Sequence, residues 1–195
     1  MVKYMIQNIF RTPVYVTQLK LDNNKIYKDC LKWQKDLKKG NQISNRGGYQ
    51  SHNLTNKNID SFSNLANTIA EHAGIFSKEI NLEVKVLRDL WFNINYNKDY
   101  NVSHNHFGNN NKFSGVYYVK APKNCGHIVL EHPANLVELS WAEKVPKGQH
   151  NEYTGSIWTY NPLPGKLLIV PSWLDHRVEP NLSKSPRVSF SFNIE

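Results

Sequence analysis

The sequence predicts an α+β fold with a double-stranded β-helix (jelly-roll) core and N-terminal helices packed on one sheet. Helical spacing of apolar residues is confined to the first 80 positions, and extended periodicity dominates from residue 81 onward. Turn-forming residues divide this second part into many short strands, which is typical of a closed double-sheet barrel. We therefore expect one domain over 1–195, with a strand and helices in 1–80 and the jelly-roll core in 81–195.

The first helix is predicted from a capping residue and from apolar spacing. A short strand around Val14–Val16 precedes it, directly after Pro13. Asp22 can cap a helix whose apolar residues recur at intervals of four, three and four: Ile26, Cys30, Trp33 and Leu37. Lysines cover the other side as a solvated face, and Gly40 is expected to end the helix.

A second helix is predicted after a polar loop. Residues 41–58 are polar and contain Gly47 and Gly48, so we interpret them as a loop. Asp60 is expected to cap the helix that follows. One face of that helix carries an apolar stripe: Phe62, Leu65, Ile69, Ala73 and Phe76.

The remainder of the chain reads as strands separated by turns rich in Asn, Pro and Gly. The predicted strands are Leu87–Tyr96, Phe113–Val119, His127–Glu131, Asn135–Trp141, Ser156–Tyr160, Leu167–Val170 and Val188–Ile194. The polar segment 142–157 contains two glycines and is either a lid over a site or an ordinary surface connection.

Composition narrows the functional classes. The net charge of +8 permits acidic partners and weakly favours an acidic substrate, but the lysines are scattered, so we do not expect nucleic-acid binding. Cys30 and Cys125 form no paired motif, which argues against a disulfide framework and against a thiolate metal site. No apolar run approaches the roughly 18 residues of a membrane span, and the start of the chain lacks a signal-peptide pattern. We expect a cytoplasmic protein.

Three histidines are candidate metal ligands. His104 and His106 are two positions apart, and residues with this spacing on a strand face the same way. His176 follows an apolar strand that ends at Pro171, in a turn that Trp173 suggests is packed. Imidazole is a common ligand for iron, zinc, copper and nickel, so the three side chains are consistent with a transition-metal site.

A candidate anion site follows in the last strand. Arg187 and Ser189 share one face of that strand, while Val188, Phe190 and Phe192 face an apolar layer. An inward-facing arginine needs an anionic partner, and its planar guanidinium suits a carboxylate. A bound dicarboxylate would supply that anionic partner for Arg187.

These motifs resemble the 2-oxoglutarate- and Fe(II)-dependent oxygenases. The spacing from His176 to Arg187 and Ser189 is similar to the C-terminal signature of those enzymes. A larger set of segments resembles the 2OG-Fe(II) oxygenases of bacteria and phages, which are related in fold to prolyl hydroxylases: Ile9–Val14, Gly48–Ser51, Trp91–Asn93, Ser103–His106, Ser114–Val119, Gly126–Leu130, Pro171–His176 and Arg187–Asn193. The resemblance therefore covers nearly the whole chain. If the protein is encoded by a phage, its expected location is the cytoplasm of the host cell.

The resemblance implies roles for individual residues. His104 and His176 would bind Fe(II), and Arg187 would bind the distal carboxylate of 2-oxoglutarate with help from Ser189 and Tyr118. Asn93 would reach the inner carboxylate of 2-oxoglutarate or the substrate. The implied reaction consumes dioxygen, hydroxylates a substrate and releases succinate and CO2. The primary substrate is open: a protein, including a peptidyl group, or a small molecule.

The sequence departs from the family pattern at one ligand. The usual facial triad contains two histidines and one carboxylate, but His106 stands at the carboxylate position. His106 could be a third ligand, it could leave the position to water, or Glu131 on a neighbouring strand could supply an oxygen ligand. The shared face of His104 and His106 favours direct ligation. A neutral ligand would leave more positive charge on the metal and tighten the binding of a dianion.

Two other functions remain as alternatives. Three histidines on β-structure also suit a zinc enzyme or a cupin-type enzyme, although Trp173 replaces the glycine expected of a cupin and no matching glutamate follows His106. A non-enzymatic jelly-roll binding module is the second alternative. A zinc or cupin-type enzyme has no general need for Arg187 and Ser189, which favour the oxygenase, and a binding module predicts that the three histidines do not converge.

Overall fold

The described part of the chain contains two long helices and eleven strands. The computed structural model describes residue 5, residues 9–134, residues 140–141 and residues 143–195. In chain order the elements are β1 (Tyr15–Gln18), α1 (Asn23–Asp36), β2 (Asn45–Arg46), β3 (Tyr49–Gln50), α2 (Asp60–Glu79), β4 (Leu87–Asn95), β5 (Tyr100–His104), β6 (Phe113–Lys120), β7 (Ile128–Glu131), β8 (Ile157–Tyr160), β9 (Lys166–Pro171), β10 (His176–Val178) and β11 (Arg187–Ile194).

The strands form two antiparallel sheets. The larger sheet has six strands in the order β1-β9-β6-β11-β4-β3, and the smaller has five in the order β2-β5-β10-β7-β8. Consecutive positions in each order are mostly distant in sequence, so the pairings depend on long-range contacts. The prediction of a strand-rich, two-sheet core after two helices is confirmed.

An aromatic cluster joins side chains of α2 to strands β4, β6 and β11 of the six-stranded sheet. Phe62 of α2 meets Phe190 of β11 edge-on at a ring-centroid distance of 5.2 Å, and Phe190 lies 5.6 Å from Phe92 of β4. Farther along α2, Phe76 stacks on Phe113 of β6 at 4.8 Å. The edge-on and stacked pairs among these contacts have the geometries that aromatic rings prefer. The apolar stripe predicted for α2 is buried in full.

A smaller apolar cluster joins the two sheets on the opposite face. It contains side chains from β6 and β9 of the larger sheet and from β7 of the smaller: Val116, Tyr118, Leu168, Val170, Ile128 and Leu130, together with Leu174. The larger sheet is therefore apolar on both faces over part of its area. On the face away from the aromatic cluster, strands β4 and β11 carry polar residues beside this smaller cluster.

The helix boundaries agree with the predictions except at the cap of α2 and at the end of α1, where the prediction that Gly40 ends the helix is wrong because Leu37 is the C-cap. The carboxylate of Asp22 accepts a hydrogen bond from the backbone N–H of Lys25 at 3.0 Å, so the α1 cap is confirmed. The prediction that Asp60 caps α2 is wrong, because Asp60 is the first helical residue. The cap is Ile59, whose carbonyl accepts from the backbone N–H groups of Phe62 and Ser63 at 2.9 Å. Helix α1 ends at Asp36, before Gly40.

Most predicted strands are present, but four observed strands were not predicted. Strands β2 and β3 have two residues each and lie in the segment interpreted as a loop. Strands β5 and β10 are polar or very short, so alternation gives no clear signal for them. Of the predicted strand Asn135–Trp141, residues 135–139 lie outside the described residues, and 140–141 are helical. None of the described helices is long and apolar enough to cross a bilayer.

The aromatic core makes a quantitative prediction. Truncating Phe190 to Ala should lower the free energy of unfolding by about 3–5 kcal/mol, because the ring is fully buried between Phe62 and Phe92. Truncating the exposed Phe107 to Ala is the matched control and should change it by less than about 0.5 kcal/mol. Urea unfolding measures both, and equal losses would contradict this description of the core.

Candidate functional site

Three histidines converge at the end of the five-stranded sheet. His104 is the last residue of β5 and His176 is the first residue of β10, and the two are direct partners in the antiparallel register. Their rings lie 4.5 Å apart, and the ring of His106 lies 5.1 Å from His104 and 5.3 Å from His176. One ligand nitrogen of each residue can be chosen so that all three lie within 4.8 Å of one another. This spacing suits a single metal ion.

The position of His106 has a different cause from the one predicted. The sequence suggested that His104 and His106 share a face of one strand, but β5 ends at His104. The backbone N–H of His106 instead donates to the carbonyl oxygen of Ser172 at 2.8 Å, which ties the segment after β5 to the turn before β10. The indole ring of Trp91 lies 5.8 Å from the His106 ring. The convergence was predicted correctly, although through the wrong local geometry.

Backbone carbonyls set the tautomers of two histidines. Nδ1 of His104 lies 2.8 Å from the carbonyl oxygen of Val102, and Nδ1 of His176 lies 2.8 Å from that of Leu174. A carbonyl oxygen can only accept, so each Nδ1 carries the proton and donates it. Each Nε2 is left with a free lone pair, which is the arrangement found in metal-binding imidazoles.

Burial keeps the imidazoles neutral. The pKa of His176 is lowered from 6.5 to about 4, chiefly by desolvation and next by the nearby His104. Desolvation and the two neighbouring imidazoles lower the pKa of His106 to about 3. The pKa of His104 is also lowered, again chiefly by burial. Near neutral pH the cluster therefore offers three uncharged rings, which is the state that binds a metal ion.

Glu131 does not belong to the histidine cluster. Leu130 is the register partner of His176, so the next residue, Glu131, points to the other face of the sheet. Its two carboxylate oxygens accept hydrogen bonds from Arg177 Nη1 at 2.7 Å and from Ser103 Oγ at 3.0 Å. The alternative in which Glu131 completes the metal site is therefore wrong, because adjacent residues of a strand face opposite ways.

Arg187 is a buried cation with one free end. It begins β11, a central strand of the larger sheet, and only 1% of its surface is exposed. Its Nη1 donates to the carbonyl oxygens of Cys125, Gly126 and Glu179, the last at 3.2 Å. Its Nη2 is buried and has no hydrogen-bond partner. Leaving a charged donor unpaired in the interior is costly, so this geometry favours an anionic ligand.

The other predicted anion-site residues form one row beside Arg187. Ser189 is the register partner of both Asn93 on β4 and Tyr118 on β6, so the three side chains lie side by side across adjacent strands. All three line the same pocket as Arg187 and the histidines. Burial raises the pKa of Tyr118 well above its usual value, so its phenol stays protonated and can donate a hydrogen bond.

Two further atoms in this pocket lack partners. They are Oδ1 of Asn93, whose Nδ2 lies 3.3 Å from Ser191 Oγ, and Oγ of Ser114. Together with Arg187 Nη2, this makes three unpartnered buried polar atoms that line one pocket. Buried polar groups are normally satisfied, so the concentration of unpartnered atoms here is typical of a ligand site.

Sequence reasoning missed several lining residues. Ser114, Ser191, Asn95 and Asn101 line the pocket but were given no role. Ser114 and Ser191 lie within segments that resemble the family, and Asn95 and Ser191 could have been found by alternation, because they share a face of β4 and β11 with Asn93 and Ser189. The alternative that segment 142–157 is a lid is not supported, since none of its described residues lines the pocket that contains the histidines and Arg187. Some of its residues line a separate cavity, which does not include the histidines.

The site and its antiparallel double sheet define a class: metal enzymes that pair a histidine site with a buried carboxylate-binding arginine. Among protein-family models, the one described as "Putative 2OG-Fe(II) oxygenase" matches residues 89–193. The match spans more than half of the chain and includes the three histidines and Arg187. The protein therefore belongs to this family, and it is a 2-oxoglutarate-dependent non-haem iron dioxygenase whose cofactors are Fe(II) and 2-oxoglutarate. The non-enzymatic and zinc or cupin alternatives are set aside.

Solved structures show the same fold. A prolyl-4-hydroxylase of Pseudomonas putida is 12% identical, with 94% of this chain and 92% of that chain covered and a TM-score of 0.66. A prolyl hydroxylase of Trichoplax adhaerens, in complex with a peptide fragment of hypoxia-inducible factor, is 11% identical over 93% and 82%, with a TM-score of 0.68. HygX of Streptomyces hygroscopicus, with nickel and 2-oxoglutarate bound, is 11% identical over 94% and 82%, with a TM-score of 0.58. No curated protein matches by sequence.

The buried histidines predict a loss of stability in acid. Between pH 6.5 and 4 an unfolded His176 binds a proton and the folded one does not, so the free energy of unfolding of the metal-free protein should fall as pH falls. The lowering of the His176 pKa from 6.5 to about 4 corresponds to about 3 kcal/mol of unfolding free energy. Thermal unfolding from pH 7 to pH 4 measures this, and His176→Gln should flatten the slope. The exposed His127→Gln is the control, and equal slopes in all three proteins would contradict the assignment.

Proposed function

We propose that the protein hydroxylates a substrate with release of succinate and CO2, and that His104, His106 and His176 hold its iron. The observation that carries the proposal is the unpartnered Nη2 of Arg187 in the pocket that three neutral imidazoles also line. A cation and a metal site in one pocket match the two ends of 2-oxoglutarate: a distal carboxylate for the arginine and a chelating 2-oxo acid for the iron.

The donor set fits this pair of cofactors. The Nε2 atoms of His104 and His176 have free lone pairs, and the neutral His106 ring completes a three-nitrogen site. Arg187 Nη2 is the donor for the distal carboxylate, and the hydroxyl groups of Ser189 and Tyr118 lie beside it to add hydrogen bonds. Asn93, in the same row, is placed to contact the inner part of the cosubstrate or the substrate.

The chain contributes positioning and a shielded environment. When bound, iron and 2-oxoglutarate together activate dioxygen for oxygen-atom transfer to a substrate. Arg187, held by three backbone carbonyls, fixes the orientation of the cosubstrate. The apolar side chains Val116, Ile128, Leu168 and Val170 line the same pocket and exclude water from it. The bound peptide of the Trichoplax prolyl hydroxylase makes a peptidyl group one candidate substrate here.

The proposal includes the finer architecture of the chain. We interpret the two sheets as a double-stranded β-helix in a single oxygenase domain over 1–195. The contacts of Phe62 and Phe76 with strands β11 and β6 support packing of α2 on the six-stranded sheet.

The cosubstrate site can be tested by spectroscopy. Anaerobic protein with Fe(II) should develop the weak visible charge-transfer band of a chelated 2-oxo acid when 2-oxoglutarate is added. Arg187→Ala should raise the 2-oxoglutarate concentration needed for half of the band by at least about 100-fold, because a buried charge-assisted contact is lost. The control is Arg177→Ala, which removes an arginine that pairs with Glu131 on the other face of the sheet. If the band forms in Arg187→Ala with the same affinity for 2-oxoglutarate as in the wild-type protein, the proposed contact between Arg187 and the distal carboxylate is contradicted.

The third ligand can be tested by substitution at His106. His106→Ala should weaken Fe(II) binding by at least about tenfold in anaerobic calorimetry, because a direct ligand is removed. His106→Asp should keep the metal but weaken 2-oxoglutarate binding, since the carboxylate lowers the positive charge of the centre. The matched control is His127→Ala, whose ring is exposed and hydrogen-bonds to Glu179. Unchanged Fe(II) affinity in His106→Ala would show that His106 is not a ligand.

A further inference from the structure

A second groove opens beside the histidine pocket. It has a volume of about 440 Å³ and shares four lining residues with the first pocket: Ser44, Trp91, His104 and His106. Its other wall leads away from Arg187 toward Asp89 and Asn193. Because the groove meets the candidate metal site through the two histidines, it is the place from which a primary substrate can reach that site.

The two grooves lie along one pair of strands. On β4 and β11 the residues that face this side form four successive register pairs: Asn95 with Arg187, Asn93 with Ser189, Trp91 with Ser191, and Asp89 with Asn193. The last pair lies six positions along the strand from the first, which corresponds to about 20 Å at the rise of an extended strand. The row therefore has a buried cation at one end and a carboxylate at the other, with Trp91 and the histidines between them.

The charge of the second groove is opposite to that of the whole chain. Among the described residues that line it, Asp89 is the only carboxylate and there is no lysine or arginine. The net charge of +8 for the chain made an acidic substrate the weak expectation. The local lining reverses that expectation, because a carboxylate facing a groove of neutral amides, hydroxyls and imidazoles repels an anion and attracts a cation.

Asp89 and Asn193 present unused acceptors to this groove. Asp89 Oδ1 accepts from Asn53 Nδ2 at 3.0 Å and Oδ2 accepts from Asn193 Nδ2 at 3.0 Å, which leaves each oxygen room for a second hydrogen bond. Arg88 forms a partly exposed ion pair with Asp89, with 3.9 Å between Arg88 Nε and Asp89 Oδ2; this distance is beyond hydrogen-bond range, so the pair uses none of the hydrogen-bonding capacity of the carboxylate. Asn193 is 8% exposed, and its Oδ1 is buried without a partner.

We propose that Asp89, Asn193 and Trp91 form a subsite for a cationic nitrogen of the primary substrate, an ammonium or a guanidinium group. Asp89 supplies the charge, Asn193 Oδ1 supplies a fixed acceptor, and the indole of Trp91 supplies an aromatic face of the kind that binds cations. The subsite rests on the proposed function, because it would hold this nitrogen on the side of the three histidines that is away from Arg187.

Three short peptides that differ in one side chain test the subsite. The probes are capped Gly-Lys-Gly, Gly-Gln-Gly and Gly-Glu-Gly, titrated to millimolar concentration into the anaerobic Fe(II) protein with and without 2-oxoglutarate. Binding is followed by NMR signals of the peptides, which needs no turnover. The lysine peptide should bind wild-type protein about tenfold more tightly than the glutamine peptide, and the glutamate peptide should bind most weakly.

Two substitutions locate the effect. Asp89→Asn should remove the preference for lysine over glutamine, because the side chain keeps its shape and loses its charge. Asp36→Asn, at the exposed end of α1, is the matched control and should keep the preference. Equal binding of the lysine and glutamine peptides to wild-type protein, or no binding of any peptide, would overturn the subsite whatever the variants do. A lysine preference that survives in Asp89→Asn would also overturn it.

The outcome can be separated from that of the proposed function. If 2-oxoglutarate fails to bind the Fe(II) protein, the cofactor assignment of this pocket is wrong, and the peptide preference is still measured without it. If 2-oxoglutarate binds and the lysine preference is absent, the oxygenase site stands and the cationic subsite does not.

Discussion

The alternation of side chains along β11 is the constraint on which both the core and the site depend. Val188, Phe190 and Phe192 face the aromatic layer beneath α2, so the register of this central strand is set by apolar burial. The same register then places Arg187, Ser189 and Ser191 in the pocket on the opposite face. A slip of one residue would bury these polar groups under the helix and expose the rings. The hydrophobic core therefore fixes the position of the arginine.

A second consequence is that the pocket gathers three of the six buried side-chain polar atoms that lack a hydrogen-bond partner among the described residues. Arg187 Nη2, Asn93 Oδ1 and Ser114 Oγ are buried without partners, while the large core beneath the helices holds the strand in register. Local destabilisation of this kind is common at functional sites, where it is offset by packing elsewhere. Burial of the imidazoles also lowers stability in acid, and it keeps them uncharged, which is the state that binds a metal ion.

Much of the fold and most of the candidate site could be predicted because they rest on periodicity and motif spacing. The stripe of α2 and the alternation of β11 are local signals, and both predicted the correct buried face. The short polar strands β5 and β10 gave no such signal, because they are stabilised by neighbouring strands and not by their own pattern. Glu131 stayed open as an alternative ligand for a related reason: the side of the sheet that it faces depends on the register with His176, which the sequence does not reveal. Asp89 and Asn193 meet only across β4 and β11, more than 100 positions apart.

The central claim is that one pocket holds a metal on three imidazoles and a dicarboxylate on Arg187. A crystal structure of the protein grown anaerobically with Fe(II) and 2-oxoglutarate tests it most directly. The account predicts iron bound by nitrogen atoms of His104, His106 and His176, with the distal carboxylate of 2-oxoglutarate hydrogen-bonded to Arg187 Nη2. Iron bound without His106, or a cosubstrate carboxylate that does not contact Arg187, would contradict it.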